Sequence, residues 1–468
     1  MDSRIVAELS GIVGEDYVST REDVLLAYSE TASMAKDPVK PGVVVRPGSV
    51  EEVSEILKLC NAEGILVTAR SGGSSLQGEA IPKPDGLVME LLRLQEITLF
   101  KDLRSVTVGA GVTFGQLDKF LNQHDLWVPV SPESALVCSI AGNVAVNGAG
   151  PGSSAYGSIA EMVLGLEVVL ADGQIIQTGS EANPHTPGPF LRYAFGPDTT
   201  GLFIGSLGSL GIITKVSLKT FKRMRHFHYE TYGFDSAEQT ERFLIDIKNN
   251  DVSALFASIY EGPVLELFMD MLGDEYGIRK HEWPFRTVSM TIGRLREDQL
   301  TGDVEKARQV CEALGGHIIG IPELPKGEWE RRMWVFVRAC YAHGWHWRTL
   351  YHHQTPTNSH RSVEEITAVM DKYGFLGHTA GFLSGHSSMN MYPHLYFDPL
   401  DKDEEQKIRM AHDELAETVY GTGAVPFKLA PYWEGKMEGT EEYMSLLKAI
   451  KTFLDPKGIL NPRVLGGI

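Results

Sequence analysis

Cysteine is scarce in this chain of 468 residues, which contains four cysteines and no Cys-x-x-Cys pair. Cys60, Cys138, Cys311 and Cys340 stand singly, so neither an iron–sulfur cluster nor a structural zinc site is expected within the chain. So low a cysteine content favours a reducing compartment, and we expect a cytoplasmic protein.

Positive charge is also in short supply. Lysine and arginine number 43 against 61 aspartates and glutamates, which gives a formal net charge of −18. Such a surface would be repelled by nucleic acid and by anionic membranes, so neither is expected as a partner. No run approaches the ~20 apolar residues of a membrane-spanning helix, and the acidic, interrupted amino-terminal stretch is not a signal peptide.

The fingerprint of a doubly wound dinucleotide-binding domain is missing as well. That fold requires Gly-x-Gly-x-x-Gly between a strand and a helix, with an acidic residue about 20 positions later. No such stretch follows a predicted strand here. An NAD site or an FAD site of that type is therefore not expected.

Glycine, in contrast, is abundant, with 48 residues, and one cluster follows a strongly apolar segment. The stretch "ILVTARSGGSSLQGEA", residues 65–80, predicts a buried strand that ends in a loop rich in glycine and serine. Successive backbone N–H groups in such a loop form an anion-binding nest, and Arg70 and the serines add donors. The loop is either a pyrophosphate site or an ordinary turn between two strands.

Two patterns define the organisation around this loop. Val43 to Val45 predicts a strand, and Ser49 followed by Glu52 is a capping box that opens a helix. An Asp-Gly turn at residues 172–173 joins two apolar strands into a hairpin. From residue 226 to about 323 the elements run strand, helix, strand, strand, helix, strand, which is the order of a split βαβ sandwich.

Six stretches in a fixed order carry a family resemblance: "RSGGSSLQG", "SPESALVCSIAGN", "VNGAGPGSSAYG", "LGLEVVLADGQII", "GLFIGSLGSLGIIT" and "FLDPKGILNP". In this order they resemble the FAD-linked oxidases of the vanillyl-alcohol oxidase and p-cresol methylhydroxylase type. In outline the chain is most similar to the catalytic subunit of glycolate oxidase and D-lactate dehydrogenase. The resemblance covers residues 40–220 and 440–465 well, and the middle only in outline.

The resemblance implies an α+β fold: a two-lobed PCMH-type FAD-binding domain of two α/β subdomains, and a ferredoxin-like α+β substrate (cap) domain. The implied FAD-binding domain spans 1–222, with its subdomains divided near residue 100. The substrate domain spans 223–440, and residues 441–468 return to the FAD-binding domain.

The resemblance also implies which residues contact FAD. They fall on the pyrophosphate loop, beside the isoalloxazine and ribityl chain, along a second flavin-lining segment, on the adenine side and in the C-terminal return. These residues are Arg70, Ser71, Gly72, Gly73, Ser74, Ser75, Leu76, Gln77, Pro132, Glu133, Ser134, Ser139, Gly142, Asn143, Ser153, Ser154, Tyr156, Gly157, Gly208, Ile213 and Asn461.

The chain departs from its relatives at two chemical positions. Ser74 stands where berberine-bridge relatives carry the histidine that links to the flavin, so we expect non-covalent FAD. The stretch "LSGHSSMNMYPHLYFD", residues 383–398, keeps only His386 and His394 where the hydroxy-acid branch has metal-ligating histidines. Two imidazoles without a carboxylate make a poor site for a hard cation, so no metal is predicted. Retention of a metal through these two histidines stays open.

A flavin accepts hydride from a carbon next to an alcohol, phenol or amine. For a 2-hydroxy acid the protein must add a base, for which His386 and His394 are candidates, and a carboxylate clamp, for which Arg338 and Arg348 are candidates. For a para-substituted phenol or aromatic alcohol, a phenolate-stabilising cluster would instead consist of Tyr392, Lys428 and Tyr432. The aromatic and histidine-rich stretch at residues 338–353 predicts an active-site wall.

These features predict an FAD-dependent dehydrogenase or oxidase acting on an alcohol or 2-hydroxy acid, with a phenol or aromatic alcohol as the alternative substrate. A different class also stays open, a flavin-carrying electron-transfer subunit of a larger redox complex. The expected partners are a small-molecule substrate, a separate electron acceptor (a quinone, a flavoprotein, an iron–sulfur subunit or oxygen) and further copies of the chain in a homo-oligomer.

Overall fold

The computed structural model describes residues 1–30, 38–261, 265, 283–320, 346–375, 377–462 and 464–467. The chain divides into two compact units. The first unit is built from three segments, Met1–Gly148, Ile159–Lys222 and Lys428–Ile468, and the second from Ala149–Ser158 and Arg223–Phe427. The ten residues from Ala149 to Ser158 thus belong to the second unit although first-unit residues flank them, and the C-terminal return begins at Lys428. The domain boundaries inferred from sequence stay predictions.

The described α-helices are numbered in chain order: α1 (Ser3–Val13), α2 (Glu22–Ala27), α3 (Val50–Glu63), α4 (Phe114–Asn122), α5 (Ile140–Ala145), α6 (Ser153–Tyr156), α7 (Thr199–Phe203), α8 (Ala237–Asn249), α9 (Glu297–Ala313), α10 (Ser359–Tyr373), α11 (Lys402–Gly421) and α12 (Glu441–Leu454).

The described strands are β1 (Val18–Ser19), β2 (Val43–Val45), β3 (Val67–Arg70), β4 (Leu87–Glu90), β5 (Ile97–Phe100), β6 (Ser105–Gly109), β7 (Leu126–Trp127), β8 (Val163–Val169), β9 (Ile175–Gln177), β10 (Ile212–Lys219), β11 (Phe221–Lys222), β12 (His226–Phe234), β13 (Ala254–Glu261), β14 (Arg286–Arg294), β15 (His317–Ile319), β16 (His346–Thr349), β17 (His352–Gln354), β18 (Gly377–Ser384), β19 (Ser388–Phe397) and β20 (Val425–Pro426).

Two larger sheets organise the first unit in its described part. One has the order β1-β2-β4-β3, in which β2, β4 and β3 run parallel, and the other is antiparallel with the order β5-β6-β10-β8-β9. The apolar runs of β2 and β8 are buried throughout, as expected of strands covered on both faces. The predicted hairpin at Asp172–Gly173 is confirmed, since β8 pairs with β9 and Gly173 has a φ of 86°.

The second unit contains the predicted ferredoxin-like order. Strands β12, β13, β14 and β15 with helices α8 and α9 follow the sequence βαββαβ and lie in the spatial order β15-β12-β14-β13. The described sheet then continues from β13 through β18, β19, β17 and β20, and β16 also pairs with β19. The sequence did not predict this extension.

The two faces of this long sheet differ. On one face the core side chains of β12, β14 and β19, such as Tyr232, Met290 and Met391, pack with residues of α8 and α9. We call the opposite face, which faces away from α8 and α9, the open face; Phe382, Asn390 and Tyr392 on it are nevertheless buried. Directly paired residues lie on the same face, so the register places Thr231, Ser289, Ser258, Phe382, Asn390 and His353 together in one row across the open face.

Segment 149–158 is anchored inside the second unit. Direct pairing of β13 with β18 is limited to Ser258↔Phe382 and Ile259↔Gly381. At the adjacent position the Ser154 hydroxyl accepts a hydrogen bond from the Ala257 N–H (3.0 Å) and donates one to the Leu383 carbonyl (2.8 Å). Ser154 therefore bridges the two strands where their own pairing ends.

Candidate functional site

The predicted pyrophosphate loop follows β3 as expected and has the geometry of an anion site. In the described part of the chain, the backbone N–H groups of residues 72–76 donate no hydrogen bond. Gly73 has a φ of 62°, and a methyl group on Gly72 would lie 1.9 Å from the Val137 carbonyl oxygen. The two glycines thus allow the loop to turn tightly against a neighbouring loop while its donors stay available.

Arg70 lies beneath this loop. Its Nη1 donates to the carbonyl oxygens of Tyr28 (3.1 Å) and Glu30 (2.7 Å), and its guanidinium carbon is 5.1 Å from the centroid of the Tyr28 ring. Burial lowers the pKa of Arg70, which the charges of Tyr28 and Glu90 oppose. The side chain is therefore held as a support for the loop.

A second loop and a helix start complete the surface. The Ser139 hydroxyl caps α5 by accepting from the Gly142 N–H (3.1 Å), and it donates to the Ser71 hydroxyl (2.6 Å). Ser134 reaches Ser74 at 3.4 Å between their hydroxyl oxygens. A methyl group on Gly142 would lie 2.8 Å from the Ser71 oxygen, so the absence of a side chain there lets helix and loop approach.

Two more predicted FAD residues, Pro132 and Glu133, lie on this second loop. The Pro132 carbonyl accepts from the Ala135 N–H (3.2 Å), which shapes the loop. Although Glu133 is an exposed residue, desolvation of its carboxyl group raises its pKa to about 7.

The C-terminal return supports the pyrophosphate loop from the other side. The Asn461 Nδ2 donates to the carbonyls of Glu79 and Leu207, both at 2.8 Å. The Tyr432 hydroxyl donates to the Gln77 side-chain carbonyl, and Lys428 Nζ lies 3.6 Å from Glu79 Oε1. The predicted phenolate-binding candidates Lys428 and Tyr432 thus contact the loop that follows β3.

The residues predicted for the adenine side lie at the beginning of β10. Ile213 is a buried residue of that strand, and Gly208 has a φ of 70°. A methyl group on Gly208 would have no atom nearer than the Ala69 Cβ at 4.0 Å, so the backbone at this position adjoins free space.

The predicted flavin residues Ser153, Ser154, Tyr156 and Gly157 belong to the second unit. The Ser153 and Ser154 side chains are fully buried, and both the donor and an acceptor site of the Ser154 hydroxyl are engaged with β13 and β18. Gly157 has a φ of 79° and lies beside Gly385, where a methyl group would stand 3.8 Å from the Gly157 Cα. Any contribution of Ser154 to a cofactor would therefore come from its backbone.

The first unit fits a flavin dinucleotide. Besides the available N–H groups of residues 72–76, the side-chain oxygens of Asn143 and Asn461 and the Gln77 Nε2 are buried and bond to nothing in the described part of the chain. Buried polar atoms of this kind require partners. A pyrophosphate on the loop and polar ribityl or ring atoms near Asn143 would supply them.

On the open face of the second unit, aromatic rings gather near β17, β19 and β20. The ring centroids of Tyr351 and Tyr392 are 5.5 Å apart, those of Tyr351 and Phe427 are 5.9 Å apart, and those of His353 and Phe427 are 5.0 Å apart. We call these four residues the aromatic cluster. Tyr351, His353 and Phe427 are half-buried, whereas Tyr392 is buried.

The structure separates the catalytic candidates. His394 lies on the open face beside Tyr392, at 5.3 Å between ring centroids, and burial lowers its pKa to about 3. Arg348 pairs with Leu395 and so belongs to the helix-covered face. His386 is exposed on the turn between β18 and β19, and Arg338 lies outside the described residues.

The sequence placed Tyr351 and His353 in the predicted active-site wall of residues 338–353 without singling out either of them, and it did not select Phe427. Burial lowers the pKa of His353 to about 4, which makes it a second neutral imidazole on the open face. The alternation of Trp347, Thr349, Tyr351 and His353 was a usable signal for a shared strand face. Placing that face opposite the helices required the register with β19.

The described residues contain neither a metal cluster nor a membrane-spanning helix. No group of three or more histidine, cysteine, aspartate or glutamate side chains in the described ranges is arranged to hold a metal ion. No described helix is both long and apolar enough to cross a membrane.

Comparison with known families agrees with this geometry. The profile described as "FAD linked oxidases, C-terminal domain" matches residues 223–465, and the one described as "FAD binding domain" matches residues 41–179. The chain therefore belongs to the FAD-linked oxidase family and is an oxidoreductase that uses FAD. The predicted family, fold class and cofactor are confirmed.

Individual relatives cover different parts of the chain. It is 27% identical to "Glycolate oxidase subunit GlcD" of Bacillus subtilis over 461 residues, which are 93% of this chain and 91% of that protein. It is 30% identical to a D-lactate dehydrogenase of Archaeoglobus fulgidus over 273 residues, but that match spans only 58% of this chain and 57% of the relative. The structure of p-cresol methylhydroxylase with substrate bound has a TM-score of 0.85 and 18% identity over 99% of this chain and 96% of the other, which shows a shared fold.

Proposed function

We propose that this protein is an FAD-dependent dehydrogenase of 2-hydroxy acids that binds FAD without a covalent bond. The observation that carries the proposal is the alignment over 93% of the chain with a protein named as a glycolate oxidase subunit. The name of the Archaeoglobus fulgidus relative, D-lactate dehydrogenase, also specifies a 2-hydroxy acid. Ser74, which cannot form the histidyl link, supports non-covalent FAD.

FAD, when bound, supplies the acceptor for the hydride that leaves the carbinol carbon of the substrate. The chain's own part is to hold the cofactor through the backbone donors of residues 72–76 and to remove the hydroxyl proton. A neutral imidazole is the form of histidine that accepts a proton. His353 and His394 are both neutral near pH 7, because burial lowers their pKa values to about 4 and about 3.

We assign the general base to one of these two open-face histidines rather than to His386. The pKa of an imidazole rises when a carboxylate comes near it, so binding of a 2-hydroxy acid would strengthen the base as the substrate arrives. The substrate carboxylate needs a cation. Arg338 is the candidate that we retain, since Arg348 lies on the opposite face of the sheet.

The first test is the absorbance spectrum of the purified protein before and after acid precipitation, followed by anaerobic addition of 2-hydroxy acids. We expect a yellow protein that releases its flavin into the acid supernatant and is bleached by one enantiomer of a 2-hydroxy acid. Flavin that stays with the precipitate would refute non-covalent binding. A holoenzyme that no 2-hydroxy acid bleaches would refute the activity.

A para-substituted phenol is the second candidate, because of the ring of Tyr392 in the aromatic cluster. Lys428 and Tyr432, however, contact Glu79 and Gln77. Bleaching by 4-hydroxybenzyl alcohol but not by hydroxy acids would favour this alternative. The third candidate, an electron-transfer subunit, is supported by the word "subunit" in the name of the Bacillus subtilis relative, and co-purification of a cysteine-rich partner would favour it.

A further inference from the structure

Along its described strands, the open face of the sheet in the second unit carries no acidic, lysine or arginine side chain. Following the register through the described parts of all nine strands, no aspartate, glutamate, lysine or arginine side chain belongs to this face. The charged residues of the same strands pair into the helix-covered face, among them Glu230, Arg286 and Arg348. Over the described strands, every acidic, lysine or arginine side chain in the register thus lies on the helix-covered face.

The character of the open face changes from one end to the other. On β12, β14 and β13 it presents small hydroxyl side chains such as Thr231, Ser289 and Ser258. On β19, β17 and the chain after β20 it presents the aromatic cluster. Aromatic rings at centroid distances of 5.0–5.9 Å form a continuous apolar surface that favours a further ring packed against it.

Segment 149–158 brings part of the sequence predicted to line the flavin to this same sheet. Ser154 bridges β13 and β18, and the Gly385 N–H donates to the Ser153 carbonyl at 2.8 Å. β18 pairs with β19 along the whole length of β18, and β19 carries Tyr392. Tyr392, the member of the aromatic cluster on β19, therefore stands two strands from β13 and one strand from β18, which holds the segment predicted to line the flavin.

We propose that the preferred substrate of this enzyme is a monocarboxylic 2-hydroxy acid with an aromatic side chain, which rests on the aromatic cluster. This inference relies on the proposed 2-hydroxy-acid activity. A methyl group or hydrogen at the same carbon would leave the cluster uncovered by substrate. A side-chain carboxylate, as in 2-hydroxyglutarate, would be placed on a face whose described strands offer it no lysine or arginine, and burying an unpaired charge is strongly unfavourable.

The experiment measures flavin reduction in the intact holoenzyme under anaerobic conditions with both enantiomers of 3-phenyllactate, lactate and 2-hydroxyglutarate. We expect the active enantiomer of phenyllactate to have a kcat/KM at least about tenfold above those of lactate and 2-hydroxyglutarate, since even one well-buried methylene changes this ratio by about tenfold or more. Phe427→Ala should lower kcat/KM for phenyllactate by about tenfold and that for lactate by less than about threefold.

Phe227→Ala is the matched control, because it removes an aromatic ring from the same face on β12. With strands about 4.8 Å apart, β12 and β17 are separated by about 24 Å across the sheet. This control should leave the kcat/KM of both substrates unchanged. Phe427→Leu, which keeps the apolar volume but removes the ring, provides the same comparison if the alanine variant fails to retain flavin.

The outcomes separate this inference from the proposed function. Reduction by lactate or 2-hydroxyglutarate at a rate equal to or above that by phenyllactate would refute the aromatic preference and leave the activity established. Equal losses for lactate and phenyllactate in the Phe427 variants would also refute it, because the ring would then act through structure alone. A holoenzyme reduced by no 2-hydroxy acid would refute the proposed function itself.

Discussion

Gly72 offers the sharpest test of the predicted pyrophosphate loop. Alanine at this position would place its methyl carbon 1.9 Å from the Val137 carbonyl oxygen, far inside van der Waals contact. The clashing atom is backbone, so one of the two loops has to move, and overpacking of this kind costs about 1–3 kcal/mol. If the loop of residues 72–76 moves, FAD affinity should fall about 5- to 150-fold at the conversion of 1.4 kcal/mol per factor of ten.

The assay is a titration of the apoprotein with FAD in which quenching of flavin fluorescence reports binding. Thermal unfolding of the apoprotein is measured in parallel. Gly64→Ala is the control, because Gly64 also has a positive φ, 67°, but a methyl group there meets no atom within 4 Å. We expect Gly64→Ala to lower Tm slightly and to leave FAD affinity unchanged. An FAD affinity of Gly72→Ala equal to that of the wild type would refute the assignment of this loop to the cofactor.

Three further predictions concern charge. Lys451→Met should destabilise the protein by about 3–5 kcal/mol in urea unfolding, because Lys451 Nζ lies 2.5 Å from the fully buried Asp455. Lys448→Met, at an exposed position of the same helix, should leave the free energy of unfolding almost unchanged. Equal losses of stability in the two variants would contradict the role of the buried pair. Burial alone would raise the pKa of Glu230, but hydrogen bonds from Arg308, His228 and Tyr232 leave it well below its usual range. A carboxyl group whose pKa is lowered by folding stabilises the protein above its pKa in the unfolded chain, near 4.3, and this stability is lost as the pH falls below that value. The Tm of Glu230→Gln should therefore drop less steeply on acidification than the Tm of the wild type or of the control Glu305→Gln, which changes an exposed residue. If His353 or His394 is the base in its neutral form, kcat/KM for flavin reduction should fall only below about pH 5, because the pKa values of the two imidazoles are about 4 and about 3. An acidic limb of the pH profile centred near pH 6.5 would exclude both histidines as the base.

Local signals in the sequence were reliable where a few neighbouring residues decide the structure. Ser49 was predicted to begin a helix, and its hydroxyl accepts the Glu52 N–H at 3.2 Å. The reciprocal half of the capping box is different, because the Glu52 carboxylate accepts from the Gly48 N–H at 2.6 Å. The order of strands and helices from residue 226 onward was likewise sufficient to predict the ferredoxin-like arrangement.

The candidate catalytic residues were harder to predict, because their positions depend on long-range pairing. Arg348 alternates with Trp347 and Thr349 along β16, but only the register with β19 reveals which of the two alternating sets faces the helices. Arg70 has the right charge and position for a phosphate ligand, yet the carbonyls of Tyr28 and Glu30, some 40 residues earlier, hold its Nη1. No local pattern contains such information.

The C-terminal return has a consequence for how the protein is made on the ribosome. Asn461 supports the loop after β3 by donating to the Glu79 carbonyl, although the two residues are 382 positions apart. At a synthesis rate of roughly 5–20 residues per second, the loop emerges about 20 to 80 s before this support exists. During that interval the predicted cofactor loop lacks this support, so tight binding of FAD is expected to follow synthesis of the C-terminal return rather than to guide early folding of the chain.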